Sequence, residues 1–315
     1  MDTPLVVATE PRSAARAAAE LGERLAGVRG LILDLDGVLV LKGALLPGAV
    51  EALAALDAGG IPYVIGTNVS LVSRGTLAGE LARGGLAIPA ERIVSAVSTA
   101  ASLARRRHGS DPLFVMGSAD AMTEFAGLRL LSYDEAADTG AKAAAVIVGD
   151  AAEEFTPRNI QSAFRLLRGG ARFVAMHKNR WWLTPAGVTL DSGAYVAALE
   201  FATERRALVT GKPSRAFFGE AVRMLAEDLG AGDAAGAGGA GHGTVSRLSP
   251  AEVAMVGDDL WNDIRGAQKA GLRGVFVRSG KHGDEELARA AGERGGRAPD
   301  AVAPSIVEVV AALVG

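Results

Sequence analysis

The sequence predicts an α/β protein made of two modules, in which parallel strands alternate with covering helices. Three observations carry this. The chain has 315 residues, 49% apolar and 22% charged, enough to bury a sizeable core and far from a disordered composition. From Gly30 onward, short apolar runs alternate with longer amphipathic stretches, the pattern of βα units around a parallel sheet. The eight runs exceed what one compact doubly wound sheet of this length needs, so two modules fit better than one.

In chain order, the first 28 residues hold no apolar stretch long enough for a bilayer, because Arg12, Arg16, Glu20, Glu23 and Arg24 interrupt it. Neither a signal peptide nor a membrane span fits, and a soluble cytoplasmic protein with no membrane partner is expected. Residues 13–26 read as an alanine-rich surface helix, its charges mixed rather than basic. The strand candidates are LILDL at 31–35, PYVIG at 62–66, LFVMG at 113–117 and AAAVIVG at 143–149, then RFVAM at 172–176, ALVTG at 207–211, VAMVG at 253–257 and GVFVR at 274–278. Helical patterns lie at 48–58, 72–84, 157–168, 193–204, 214–229, 262–270 and 284–291. The segment GAGDAAGAGGAGHG at 230–243 contains a GxGxxG pattern at 236–241, but no strand precedes it and no helix opens after it. It therefore reads as a loop rather than a dinucleotide site, with His242 incidental.

Composition restricts the chemistry. With 33 basic and 36 acidic residues the formal charge is −3, which argues against a protein dominated by nucleic-acid phosphate contacts. The absence of cysteine removes disulfides, thiolate metal sites and thiol nucleophiles. None of the four histidines forms an HExxH pair. Carboxylates, hydroxyls, main-chain amides and a few lysines must carry any reaction.

Four strand candidates end in such groups. LILDL closes on Asp34-Leu35-Asp36-Gly37, which places two acids at the carboxyl edge of a sheet, where open α/β folds bind ligands. Gly37 allows a sharp turn there. The bland alternative is an acidic loop capping the next helix. PYVIG runs into Thr67-Asn68-Val69-Ser70, where side-chain and main-chain donors could meet an anion, or where Ser70 or Ser73 could simply cap a helix. ALVTG runs into Lys212-Pro213-Ser214. Lys212 is one of six lysines in an Arg-rich chain, and Pro213 suits the first turn of the following helix. VAMVG ends in Asp258-Asp259, with Asp263 on the helix beyond. Three acids at one strand end repel unless a cation or lysine sits among them, and oxygen-only donors suit Mg²⁺; a helix N-terminus enriched in acids accounts for one or two carboxylates more easily than for three.

Taken together and in order, DLDG, TNVS, GKPS and GDDLWND resemble the four motifs of the haloacid dehalogenase superfamily. The long interval between Thr67 and Lys212 resembles its subfamily with a large α/β cap between the second and third motifs. That subfamily includes NagD-like, 4-nitrophenyl phosphate, phosphoglycolate and pyridoxal phosphatases. The stretches VGDDLWNDIRGAQKAGLRGVFVRSGKH and HKNRWW…YVAALEFAT look most like the phospholysine/phosphohistidine pyrophosphatase branch.

The resemblance covers residues 30 to about 310 and implies a Rossmann-like doubly wound core with an inserted C2-type cap. The core would comprise 30–111 plus 207–315, the cap 112–206, and an N-terminal helical extension 1–29. It implies a Mg²⁺-dependent phosphatase acting on a small phosphorylated metabolite. Asp34 would be the nucleophile, forming an aspartyl-phosphate, and Asp36 the general acid and base. Asp34, Asp258 and the main-chain carbonyl of Asp36 would ligate the metal, while Lys212, Thr67 and Asn68 hold the phosphoryl group. Asp263 would orient Lys212 or a metal-bound water, Asp259 would cap the following helix or support the site from behind, and Gly37 would turn the chain into a mobile flap at 38–46. His177, Lys178, Asn179, Arg180, Trp181, Trp182 and Asp191 are cap candidates for the leaving group, each with a structural alternative. A homodimer through the cap is implied as well. A catalytically silent phosphate-binding protein on the same fold is the competing reading, and carbon–halogen hydrolysis would leave the acids at 258–263 idle.

Overall fold

The computed structural model describes residues 11–184, 187–236, 248–293 and 297–315. The chain divides into two compact units, Met1–Tyr63 with Arg247–Gly315, and Val64–Ser246. Each of the eight apolar runs contains a strand, although ALVTG supplies only Leu208–Val209.

In the first unit, four parallel strands lie in the order Ala301–Ala303, Arg273–Val277, Val253–Gly257, Gly30–Asp34. Every residue of Gly30–Asp34 and of Val253–Gly257 is buried. Strands covered on both faces read as unbroken apolar runs, which is why these two stand out in the sequence. Ile306–Val314 packs against Ala49–Ala58 and against Pro11–Leu25. The amino-terminal helix is therefore not purely a surface element. Its last turn buries Leu21 and Leu25, and Arg273 donates to the Arg24 carbonyl at 2.9 Å. Leu260, Ile264, Phe276 and Ala290 form an apolar cluster, with Trp261 and Leu287 against it.

In the second unit, Leu208–Val209, Arg172–Ala175, Ala145–Val148 and Leu113–Met116 form a parallel sheet in that order. Side chains alternate between two cores, as the two-residue period of a strand requires. Phe114, Val146 and Phe173 join Leu166 of Pro157–Arg168 and Val196 of Ser192–Thr203. Val115, Ile147 and Val174 join Val97 and Ala100 of Ala96–His108. Elsewhere in this unit, Ile65, Gly66 and Thr67 pair in parallel with Ile93–Ser95.

Two expectations about helices are corrected. Arg215–Gly236 runs through 230–236, where the sequence reads as a loop, because Ala231, Ala234 and Ala235 extend an already nucleated helix at little cost. Residues 237–243, with His242 and most of the GxGxxG pattern, lie outside the described residues. The helix expected over 262–270 begins instead as a π-helical turn, Leu260–Arg265, and continues as the α-helical Gly266–Ala270. Among the described residues no helix is long and apolar enough to cross a membrane.

Glu220 ties Arg215–Gly236 to Ala96–His108. Its buried carboxylate accepts from Arg106 at 2.8 Å and from Arg223 at 2.7 Å. Burial pushes Glu220 up, but Arg223, Ser102 and Arg106 outweigh it and hold the group at about 2. A carboxylate so depressed stabilises the fold above its unfolded pKa and stops doing so as pH falls through its folded one. Glu220→Gln is expected to cost on the order of 2 kcal/mol at neutral pH. In melting curves against pH, the gap between the two proteins should close between the ordinary glutamate range and about 2.

Candidate active site

Gly30–Asp34 and Val253–Gly257 are neighbours in the first unit, with Leu33 opposite Val256. Asp34 ends the first strand and Asp258 follows the second, so in-register pairing delivers two carboxylates side by side at the carboxyl edge. The π-helical turn adds a third. One oxygen from each of Asp34, Asp258 and Asp263 lies within 4.8 Å of the others, and all three residues are buried. Main-chain donors orient each acid: Leu35 N to Asp34 Oδ1 at 2.7 Å, Lys281 N to Asp258 Oδ2 at 2.7 Å, and Asp259 N to Asp263 Oδ2 at 3.1 Å. Three ionised carboxylates this close repel unless a cation joins them. Hard oxygen donors, buried and converging, fit a small divalent ion such as Mg²⁺.

The spacing depends on glycine. A Cβ on Gly37 would sit 2.3 Å from Asp258 Oδ2, and one on Gly280 would sit 2.0 Å from the same atom. Gly37 also has φ +82°, which side chains rarely adopt. A Cβ on Gly257 would stand 2.4 Å from Asp263 Oδ2. Gly37 N donates to the Val40 carbonyl at 2.6 Å, and the expected flap holds a small hairpin, Val40–Leu41 with Ala44–Leu45. The Asp36 side chain is exposed, unlike the three clustered acids.

Asp259 caps the π-helical turn, accepting from Trp261 N and Asn262 N at 2.9 Å each. Its other oxygen meets Lys281 Nζ at 2.8 Å. Burial pushes Asp259 up, but Lys281 and the main-chain donors prevail and hold it at about 2. For Lys281 burial works downward, yet Asp259 first, then Asp258 and Asp263, raise it overall. Lys281 is thus an exposed cation paired with Asp259 beside the acid cluster, and Ser279 Oγ fastens the same segment to the Gly37 carbonyl at 2.6 Å. Neither residue is among those the sequence motifs single out. Lysine scarcity, the signal that picks out Lys212, applies equally to Lys281.

In the second unit, Thr67 and Lys212 are both buried, and Thr67 Oγ1 accepts from Val69 N at 3.3 Å. The Asn68 side chain spans both main-chain polar groups of Lys212, accepting from its N at 2.7 Å and donating to its carbonyl at 3.1 Å. Asn68 therefore holds the Lys212 main chain in place. Ser214 Oγ accepts from Phe217 N at 3.2 Å and caps the helix that begins at Arg215. Pro213 consequently stands before the helix rather than in its first turn, because the hydroxyl takes the capping position.

His177 is buried, with Nε2 2.8 Å from Ser70 Oγ and 3.8 Å from Asp191 Oδ1. Burial lowers its pKa, while Asp191 and Asp150 oppose the shift. Asp191 caps Ser192–Thr203, and Lys178 Nζ is 2.7 Å from the buried Glu200 carboxylate. Asn179, Arg180 and Trp181 are exposed, and the side chain of Trp182 lies outside the described residues.

A family model described as haloacid dehalogenase-like hydrolase matches residues 31–130, and one described as HAD-hydrolase-like matches 209–309. Human haloacid dehalogenase-like hydrolase domain-containing protein 2 is 33% identical over 261 residues, covering 82% of this chain and 88% of that protein. Human phospholysine phosphohistidine inorganic pyrophosphate phosphatase is 34% identical over 266 residues, covering 82% and 86%. Among solved structures, a p-nitrophenyl phosphatase from Archaeoglobus fulgidus is similar with a TM-score of 0.75 and 26% identity, over 90% of this chain and 99% of that one. On the motifs, the fold and these relatives, the chain belongs to the haloacid dehalogenase-like hydrolases.

Proposed function

We propose that the protein is a Mg²⁺-dependent phosphatase that transfers a phosphoryl group to Asp34 and then to water. The observation that carries this reading is the convergence of Asp34, Asp258 and Asp263 within 4.8 Å at the carboxyl ends of two paired strands. The bound cation would neutralise acids and phosphate dianion together, without which a carboxylate approaching a phosphate is repelled. An Asp34 oxygen forms a bond to phosphorus as the bond to the leaving alkoxide breaks. Asp36, whose exposed carboxyl can exchange protons, gives a proton to that alkoxide. It then takes one from the water that cleaves the aspartyl-phosphate. Thr67, Asn68 and Lys212 receive their phosphate-holding roles from the family resemblance, with Asn68 acting through the main chain it grips.

Residues 112–206 are proposed as the substrate-selecting cap. Similarity to a phospholysine phosphohistidine inorganic pyrophosphate phosphatase supports phosphoramidates and pyrophosphate as candidates beside small phosphomonoesters. The protein is expected to hydrolyse 4-nitrophenyl phosphate with Mg²⁺, to stop when EDTA is added, and to recover when Mg²⁺ is restored in excess. Undiminished turnover after exhaustive chelation would overturn the metal assignment.

A further inference from the structure

The second unit holds a cavity of about 570 Å³ whose lining includes Arg107, His108, Arg172, Arg205 and Arg206 and no acid. These cations come from three places: the end of Ala96–His108, the start of Arg172–Ala175, and the approach to Leu208–Val209. A helix carboxyl terminus accounts for basic residues at 107 and 108 but not for the other three. Arg205 donates to the Leu167 carbonyl at 2.7 Å and Arg206 to Glu200 at 3.3 Å, which fixes two of the guanidiniums. The guanidiniums of Arg107 and Arg172 make no hydrogen bond or ion pair among the described residues, although the Arg172 main-chain N–H donates to the Ala144 carbonyl at 2.8 Å. Burial holds His108 below its ordinary range, and Arg107 and Arg172 lower it further against the opposing pull of Asp111. Positive charge is thus concentrated around one concavity of a chain whose formal charge is −3.

The geometry points to this cavity as a binding site for a small organic phosphate carrying two or more negative charges. Guanidiniums suit phosphate oxygens, since they pair with them in two-pronged fashion and stay charged at any working pH. The volume is that of a metabolite site rather than of a lone phosphate ion. Phe173 and Leu208 supply apolar surface for the organic portion. No lining carboxylate can serve as nucleophile, so the molecule is held and not consumed. None of these residues belongs to the four motifs, and the inference stands apart from the proposed hydrolysis.

The test is calorimetric titration of the full chain with ADP in EDTA at low salt. One saturable site is expected, weakened about tenfold or more by Arg107→Ala and by Arg172→Ala, and weakened by salt because the partners are partly exposed. Asp258→Asn should leave ADP affinity unchanged, which separates this cavity from the acid cluster. Inorganic pyrophosphate should bind more weakly than ADP. Lack of saturation, or affinity indifferent to both arginine substitutions, would sink the proposal. Pyrophosphate binding as tight as ADP would remove the organic portion from it.

Discussion

Asp34→Asn is expected to lower 4-nitrophenyl phosphate turnover by at least ~10³-fold while the protein stays folded. The substitution keeps the shape of the side chain and an oxygen that can accept from Leu35 N, as Asp34 Oδ1 does at 2.7 Å. What it removes is the charged oxygen needed to bond phosphorus. Stability should separate chemistry from collapse. The buried acids of the cluster repel one another, so in EDTA the variant should melt no lower than the parent. With Mg²⁺ the parent gains stability by linkage, about 2.7 kcal/mol at a hundredfold excess over Kd, and the variant, lacking one ligand, gains less. The order of melting temperatures should therefore favour the parent only when metal is present. Parent-like turnover in Asp34→Asn would remove Asp34 from the nucleophile's place. A variant that melts lower in EDTA would make the residue structural.

The sequence reveals most where burial is uniform. Gly30–Asp34 and Val253–Gly257 are covered on both faces, so their apolar runs are continuous, and the acids that end them are conspicuous against those runs. Ala301–Ala303 alternates between buried and exposed over three residues and leaves too short a pattern to register. Ile93–Ser95 is equally brief. Ala96–His108 is helical and mostly buried, yet it is made largely of small residues, and no wide apolar stripe announces it. At the site, Asp34 and Asp258 are legible because one ends a strand and the other directly follows one. Lys281 is not, because it follows Arg278 in a loop and becomes meaningful only where that loop folds back on Asp258 and Asp259. Asn68 shows the same limit. Its side chain serves the main chain of Lys212, 144 residues away, a relation no local pattern contains.

Gly280→Ala should cost catalysis more than stability, by at least ~10²-fold at a fixed, limiting Mg²⁺ concentration. A methyl group there would lie 2.0 Å from Asp258 Oδ2 and 2.4 Å from Asp258 Cβ. Rotating the carboxylate could relieve the first contact but not the second, because Cβ is fixed to the main chain. The 279–281 segment must therefore retreat, withdrawing the Lys281 N–H that orients Asp258 and the Lys281 ammonium beside Asp259. Metal affinity should fall, so a Mg²⁺ titration of turnover should shift to higher concentration and excess metal should restore part of the rate. Gly37→Ala should be worse, since it adds backbone strain at φ +82° to a 2.3 Å clash with the same oxygen. Gly43→Ala separates the two causes. Gly43 has φ +79°, and an added methyl there would meet nothing within 4 Å, so that variant should lose about 1 kcal/mol of stability and keep its Mg²⁺ dependence. If Gly280→Ala titrates like the parent, Asp258 does not depend on the glycine cradle, and its place in the metal site must be abandoned.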